Sequence, residues 1–276
     1  DRVFADVRPQ LVFHAAARVE MWGPYAPFYR TNVLGTENVI AAARRNGGSR
    51  LILTSSPSVV HGRRGLAGAD ESTPYPDRFE AAYPQTKAMA EMAVLAANGP
   101  ELATLALRPH LVWGPGDTNL VARLVERARA GRLRLVGGGR SLVDTTYVDN
   151  AVDAHLLAAE RLAPRAPCAG RAYFIANGEP RSVGEVVNAI LGAAGLPPER
   201  RSLPLRLALA LGRACELANA VVPFRGGPPM TRFIARSLAT AHWYDLGAAR
   251  RVLGYTPRVS FEDGIGRLAA WFRTNS

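Results

Sequence analysis

Arg50-Leu51-Ile52-Leu53-Thr54-Ser55-Ser56 begins as an apolar run and ends in three hydroxyls. A strand buried on both faces of a parallel sheet reads as continuous apolar sequence rather than as an alternation. Open α/β sheets bind their ligands at the carboxyl ends of the strands. The stretch is therefore expected to be a parallel strand that delivers hydroxyls to a ligand. The same signature recurs on both sides of it. Gln10-Leu11-Val12-Phe13-His14-Ala15-Ala16-Ala17 is apolar and closes in small residues that let a ligand approach the backbone, and Ala103-Thr104-Leu105-Ala106-Leu107-Arg108 leads into Pro109. Helical patterns over 27–46 and 79–97 separate the runs, the first closing at Gly47-Gly48. Strand, helix, strand, helix, strand implies an α/β fold with a doubly wound parallel sheet. The chain is expected to rejoin that sheet at Ala172-Tyr173-Phe174-Ile175-Ala176, after a helix with Asp149 as its N-cap.

The helix over 79–97 carries Tyr83-Pro84-Gln85-Thr86-Lys87, which places a phenol and an ammonium on one face, four residues apart. A phenol with a pKa of about 10 is a slow proton donor unless a nearby positive charge stabilises its anion. Lys87 is the one lysine among 34 Lys and Arg residues. An ammonium is a compact charge with three donors, able to serve a tyrosine and a sugar hydroxyl together, where a guanidinium is a planar fork. Lys87 is therefore expected to depress the Tyr83 pKa. Ser56 lies 27 residues before Tyr83 at the predicted ligand edge. A hydroxyl there can hold a carbonyl oxygen while Tyr83 protonates it.

Composition narrows the other possibilities. The chain has 276 residues, 48% hydrophobic and 21% charged, enough for a large core and without the bias of a disordered chain. The net charge of +11 is spread over scattered arginines with no basic block interleaved with aromatics, so nucleic acid is not an expected partner. Cys168 and Cys215 stand apart, which fits a reducing cytoplasm, and His14, His61, His110, His155 and His242 lack metal-ligand spacing. No metal is expected. Gly62, Gly65 and Gly68 match a Gly-x-x-Gly-x-x-Gly spacing, but the sequence continues into the turn-forming Ala69-Asp70-Glu71-Ser72-Thr73-Pro74-Tyr75-Pro76 instead of a helix. Gly137-Gly138-Gly139 likewise reads as a turn. The segment from Leu203 to Pro223 is strongly apolar yet interrupted by Arg206, Arg213 and Glu216, which argues against a bilayer span. Its Leu, Ala and Val residues exceed what one core-facing stripe needs.

These residues resemble a known family. Ser56, Tyr83 and Lys87 match the catalytic serine, tyrosine and lysine of the short-chain dehydrogenase/reductases, and the length beyond them fits the extended class. His14-Ala15-Ala16-Ala17 resembles that class's strand-end cofactor motif. Asn32 to Thr36 resembles its helix motif, in which the asparagine is mainly structural. Arg108-Pro109 and Trp113-Gly114-Pro115-Gly116 resemble the stretch beside the nicotinamide. Thr54-Ser55-Ser56-Pro57-Ser58-Val59-Val60, Tyr147-Val148-Asp149-Asn150 and His242-Trp243-Tyr244-Asp245 are most similar to the 3β-hydroxysteroid dehydrogenase branch, which includes sterol-4-carboxylate dehydrogenases and 2-alkyl-3-oxoalkanoate reductases.

The resemblance spans essentially the whole chain and implies hydride exchange between NAD or NADP and a secondary alcohol or ketone on a bulky apolar substrate. It implies a cofactor lined by Ala15, Ala16, Ala17, Ser55, Tyr83, Lys87, Pro109 and Val112, with Ser56, Tyr83 and Lys87 catalytic. A Rossmann-like domain is expected over 1–112 and 141–177, and a smaller, mainly helical substrate cap over 113–140 and 178–276. The family's glycine-rich strand-turn-helix does not occur in this sequence, so the Rossmann domain is expected to be N-terminally truncated, with Leu11–Ala16 at the sheet edge. NAD and NADP are not distinguished on that basis, and these residues alone are expected neither to bind dinucleotide tightly nor to catalyse hydride transfer. Peripheral membrane contact and a homodimer remain open. The rival readings are a nucleotide-sugar epimerase of the same class and a dinucleotide-binding module without turnover.

Overall fold

The computed structural model describes residues 2–62, 65–222, 224 and 227–275. Arg63 and Arg64 in the glycine-spaced loop, and Pro223, Arg225 and Gly226 beyond the apolar segment, lie outside the described residues. Four parallel strands form the central sheet in the order Leu11–His14, Arg50–Thr54, Ala103–Pro109 and Arg171–Ile175. Leu53 sits level with His14 on one side and Ala106 on the other, so the strand ends reach one edge together.

Alternate residues of each strand serve opposite faces. Leu51, Leu53 and Ala106 pack with Ile40, Val94 and Ala97 from helices Gly35–Arg45 and Ala82–Ala96 and the turn that follows. Ile52, Leu105 and Leu107 pack on the other face with Ala154 and Ala158 from helix Val148–Arg161. Burial on both sides is why these strands read as unbroken apolar runs. Helix Val148–Arg161 starts one residue before Asp149, with the extended Tyr147 in the cap position, which corrects the expected N-cap. Asp149 instead lies in the first turn, where its charge complements the helix dipole.

A second hydrophobic cluster joins helices Leu120–Arg129, Val183–Ala193 and Phe261–Asn275 around Trp113, Tyr147 and Phe261. A smaller one joins helices Leu205–Val221 and Arg232–Ala239 through Ala208 and Ala235. The chain then returns to the central sheet, where Tyr244, Leu246, Ala249, Leu253 and Tyr255 share the cluster of Ile52 and Leu105. Strand His242–Tyr244 lies between Leu66–Ala69 and Leu142–Val143, tying this return to both halves. Gly68 in that ladder has φ +67, and the Trp243 ring would lie 2.9 Å from a Cβ there, so glycine is needed on both counts.

Candidate active site

Strand Arg50–Thr54 ends directly before Ser55 and Ser56, and the extended Ser56 opens a short 3-10 turn over Pro57–Val60. The Ser58 backbone N–H donates to Ser56 Oγ at 3.2 Å, and the two serine hydroxyls are 2.9 Å apart. Ser56 also stands close enough to the Tyr83 phenol to lower its pKa. One serine thus satisfies the turn and still addresses the tyrosine. Helix Ala82–Ala96 turns Tyr83 and Lys87 toward this strand end, and Lys87 Nζ donates to the Thr54 carbonyl at 2.7 Å, using one of its three N–H groups.

The electrostatics differ from the expected effect of Lys87 on Tyr83. Burial pushes the Tyr83 phenol above its ordinary pKa and the Ser56 hydrogen bond draws it partly back, so the net shift is upward. Desolvation dominates because both groups lie inside the protein, where each charged form is disfavoured. Lys87 responds in the opposite sense: burial lowers it to about 8, against an upward pull from Glu91. At neutral pH the phenol is protonated and the lysine mostly charged.

The surroundings hold these groups by polar bonds rather than by packing alone. A π-helical stretch, Tyr29–Leu34, carries the buried Asn32, and such stretches recur at functional sites. Asn32 accepts from the Arg18 N–H at 2.7 Å and donates to the Arg18 carbonyl at 3.1 Å and to Thr86 Oγ1 at 3.0 Å. Thr36 Oγ1 donates to the Asn32 carbonyl at 2.6 Å and lies 2.9 Å from His14 Nε2. The network links the end of strand Leu11–His14, and so Ala15, Ala16 and Ala17 beyond it, to the helix of Tyr83. Ser55 Oγ is buried with no hydrogen-bond partner among the described residues. A buried orphan hydroxyl at a strand's ligand edge is the kind of group that a bound molecule satisfies. Pro109 ends its strand, and Leu111 just beyond it has φ +40, a strained value for a branched residue. Val112 follows in a short ladder to Thr146 and is partly open.

Sequence reasoning missed Glu91. It stands one turn beyond Lys87, fully buried, and takes Arg108 Nε at 3.0 Å and Nη2 at 2.6 Å, with the Tyr75 hydroxyl donating at 2.6 Å. Arg108 therefore serves the interior. Four-residue spacing from Tyr83 through Lys87 to Glu91 was the available signal. Also missed was a cavity of about 210 Å³ beside Tyr83, lined by Met21, Trp22, Phe28 and Phe233 together with Glu80, Glu216 and Thr231.

Among the described residues no three His, Cys, Asp or Glu side chains converge to hold a metal ion. His61, His110 and His242 gather instead as a stacked group, with His61 and His242 centroids 4.3 Å apart and His61 Nε2 2.7 Å from the Tyr244 hydroxyl. Burial holds all five histidines below their ordinary value, His14 and His242 at about 4 and His110 at about 3. The unfolded histidines protonate near pH 6.5 and the folded ones only at lower pH, so stability falls as the pH drops below about 6.5. Asp144, raised by burial to about 6, and Glu71, also raised by burial, oppose this by binding their protons first in the folded state. Five groups outweigh two. The urea midpoint is expected to fall steadily from pH 7 to pH 4.5, by several kcal/mol in stability, and a midpoint that held or rose would overturn this account.

Comparison with known proteins decides the family. Residues 3–205 match the 3-beta hydroxysteroid dehydrogenase/isomerase family. The chain belongs to that family. It is accordingly an oxidoreductase of the extended short-chain type acting on CH–OH groups, as its sequence implied. It is 54% identical over 263 residues to the 2-alkyl-3-oxoalkanoate reductase of Stenotrophomonas maltophilia, covering 94% of this chain and 79% of the relative. With the enzyme of the same description from Shewanella oneidensis it is 43% identical over 268 residues, covering 94% of this chain and 69% of the relative. Among solved structures, an epimerase from Methanothermobacter thermautotrophicus superposes with a TM-score of 0.78 at 24% identity, over 99% of this chain and 74% of that one. Identity at that level establishes the shared doubly wound architecture and leaves the reaction to the site residues.

Proposed function

We propose that the protein is an NAD(P)-dependent reductase of 2-alkyl-3-oxoalkanoates, with Ser56, Tyr83 and Lys87 as its catalytic groups. The observation that carries the reading is Tyr83, held beside Ser56 at the strand's ligand edge and lining a cavity in which Met21, Trp22, Phe28 and Phe233 alternate with Glu80, Glu216 and Thr231. A nicotinamide supplies the hydride when bound. Ala15, Ala16, Ala17, Ser55, Pro109 and Val112 would hold it, with the Ser55 hydroxyl and Lys87 as polar anchors, and the unpartnered Ser55 Oγ supports that fit. Ser56 steadies the substrate carbonyl oxygen, Tyr83 gives it the proton, and Ser58 keeps the Ser56 hydroxyl aimed. The phenol is protonated at neutral pH, the form that can give its proton to a carbonyl oxygen.

Residues 1–112 and 141–177 form the nucleotide side of this reading, and 113–140 and 178–276 the substrate side. The cavity of about 210 Å³ is below the usual range for a whole ligand, so it takes the reacting carbons while the alkyl chain runs past its rim. The identity of 54% to a reductase of 2-alkyl-3-oxoalkanoates favours that substrate over a sterol. The test uses the protein as its gene encodes it and follows nicotinamide absorbance with a long-chain 2-alkyl-3-oxoalkanoate or a sterol-4-carboxylate, and chromatographic appearance of the 4-epimer with UDP-glucose. Turnover of the keto acid at least tenfold above the other two is expected. Turnover of UDP-glucose with none of the keto acid would sink the assignment.

A further inference from the structure

We propose that Arg236, on helix Arg232–Ala239, receives the substrate's carboxylate at the cavity beside Tyr83 and makes the site selective for a 3-oxo acid over its neutral esters. The inference rests on the reading of the site as a reductase of 2-alkyl-3-oxoalkanoates. An acid of that class holds its carboxylate one carbon away from the reacting carbonyl, so the surroundings of Tyr83 must also meet a negative charge. The cavity wall by itself is unsuited to this. Glu80 and Glu216 both line it, and a carboxylate brought beside either is repelled unless a cation is shared between them. Two arginines one turn apart on the same helix are matched to the two glutamates. Arg232 donates its backbone N–H to Glu216 Oε1 at 2.8 Å and its Nε to Oε2 at 2.7 Å, so it is committed to a carboxylate that is only 11% exposed. Arg236 meets Glu80 through Nη1, and its side chain is 33% exposed.

Placement selects Arg236 of the two. Residues 80–83 form an unbroken part of the wall, from the glutamate that holds Arg236 to the phenol that gives the proton. Phe233, three residues before Arg236 and so on the same face of the helix, lines the same cavity. A guanidinium carries five N–H donors in a planar fork, so Arg236 can keep Glu80 on Nη1 and donate to a second carboxylate through Nε and Nη2. Such a two-point contact fixes the orientation of the acid as well as neutralising it. With the acid group held there, the alkyl branches are left to Met21, Trp22 and Phe28. Glu80 then does more than pair: it keeps the guanidinium at the wall while the cavity is empty and competes for it when an acid enters.

The test measures binding of a long-chain 2-alkylalkanoate, which has the acid and no ketone, and of its methyl ester to the protein as its gene encodes it. Alongside it, kcat and KM are measured for a 2-alkyl-3-oxoalkanoate and its methyl ester. Wild type is expected to bind the acid at least about tenfold more tightly than the ester, the scale of a hydrogen bond to a charged group. Arg236→Gln should cut that ratio at least about tenfold, with the keto acid losing through KM more than through kcat, and Arg236→Lys should restore part of it. Glu80→Gln breaks the same ion pair but removes the competitor, so there the ratio should hold or rise. The pair is partly exposed and adds little to stability, so the three variants are expected to keep the wild-type Tm. An Arg236→Gln ratio equal to that of wild type would overturn the proposal. So would a Glu80→Gln variant that loses the ratio as Arg236→Gln does, since the pair would then only shape the wall. Wild type that reduces the keto acid but binds acid and ester alike overturns the role of Arg236 and leaves the reaction standing. Wild type that prefers the acid through Arg236 yet reduces no keto acid supports the carboxylate site and overturns the reaction.

Discussion

Tyr83→Phe is expected to lower kcat/KM at least 100-fold while leaving the Tm and nicotinamide binding nearly unchanged. The substitution keeps the ring, and with it the packing beside Trp22 and Phe28, and removes only the group that carries the proton. A positioned acid contributes about 10²–10⁴ in rate. Ser56 loses one partner but keeps the Ser58 hydroxyl and backbone N–H, so the strand end has no reason to rearrange. Retention of more than about a tenth of the wild-type kcat/KM, a loss under about 1.4 kcal/mol, would show that another group or water delivers the proton. Direction matters as well. A phenol held above its ordinary pKa must first lose its proton to act as a base, so alcohol oxidation should climb with pH across the range where ketone reduction is flat.

The parts of the fold that were legible are those in which a local pattern and its structural cause coincide. Buried parallel strands must be apolar throughout, so Arg50–Thr54, Ala103–Pro109 and Arg171–Ile175 announced themselves. The Tyr83 and Lys87 spacing is a property of one helix and needed no tertiary knowledge. Strand His242–Tyr244 was beyond reach, because three residues carry no period and its neighbours come from positions more than 90 residues away. For the same reason the return of Tyr244 to Tyr255 to the core of the central sheet was not anticipated. The direction of the Tyr83 shift was missed because spacing shows which charges are near and not how much water each has lost. Desolvation is a property of the whole fold, and here it outweighs the Ser56 hydrogen bond that draws the phenol down. The cavity wall is assembled from positions 21–28, 80–83, 216, 231 and 233, whose convergence no sequence window contains.

Glu91→Ala is expected to destabilise the protein by about 3–5 kcal/mol, the usual cost of removing one partner of a buried ion pair. Arg108 is 3% exposed and would keep its charge in an interior where its Nη1 already lacks a hydrogen-bond partner among the described residues. Its stacking over the Phe174 ring, 5.0 Å from the centroid, does not replace a carboxylate. The Tyr75 hydroxyl would lose its acceptor in the same step. The consequence reaches the site, because Glu91 is the group that raises the Lys87 pKa against burial. Without it Lys87 should fall below about 8, lose part of its charge at neutral pH and hold a ribose hydroxyl less firmly. A fall in urea midpoint together with a weaker nicotinamide affinity that recovers as the pH is lowered toward 6 is the expected pattern. The double variant Glu91→Leu with Arg108→Met separates the two effects. It removes both charges, so it should regain much of the stability while Lys87 stays depressed. A single variant that lost under about 1 kcal/mol would mean that water reaches Arg108 and that the pair is not the buried strut described here.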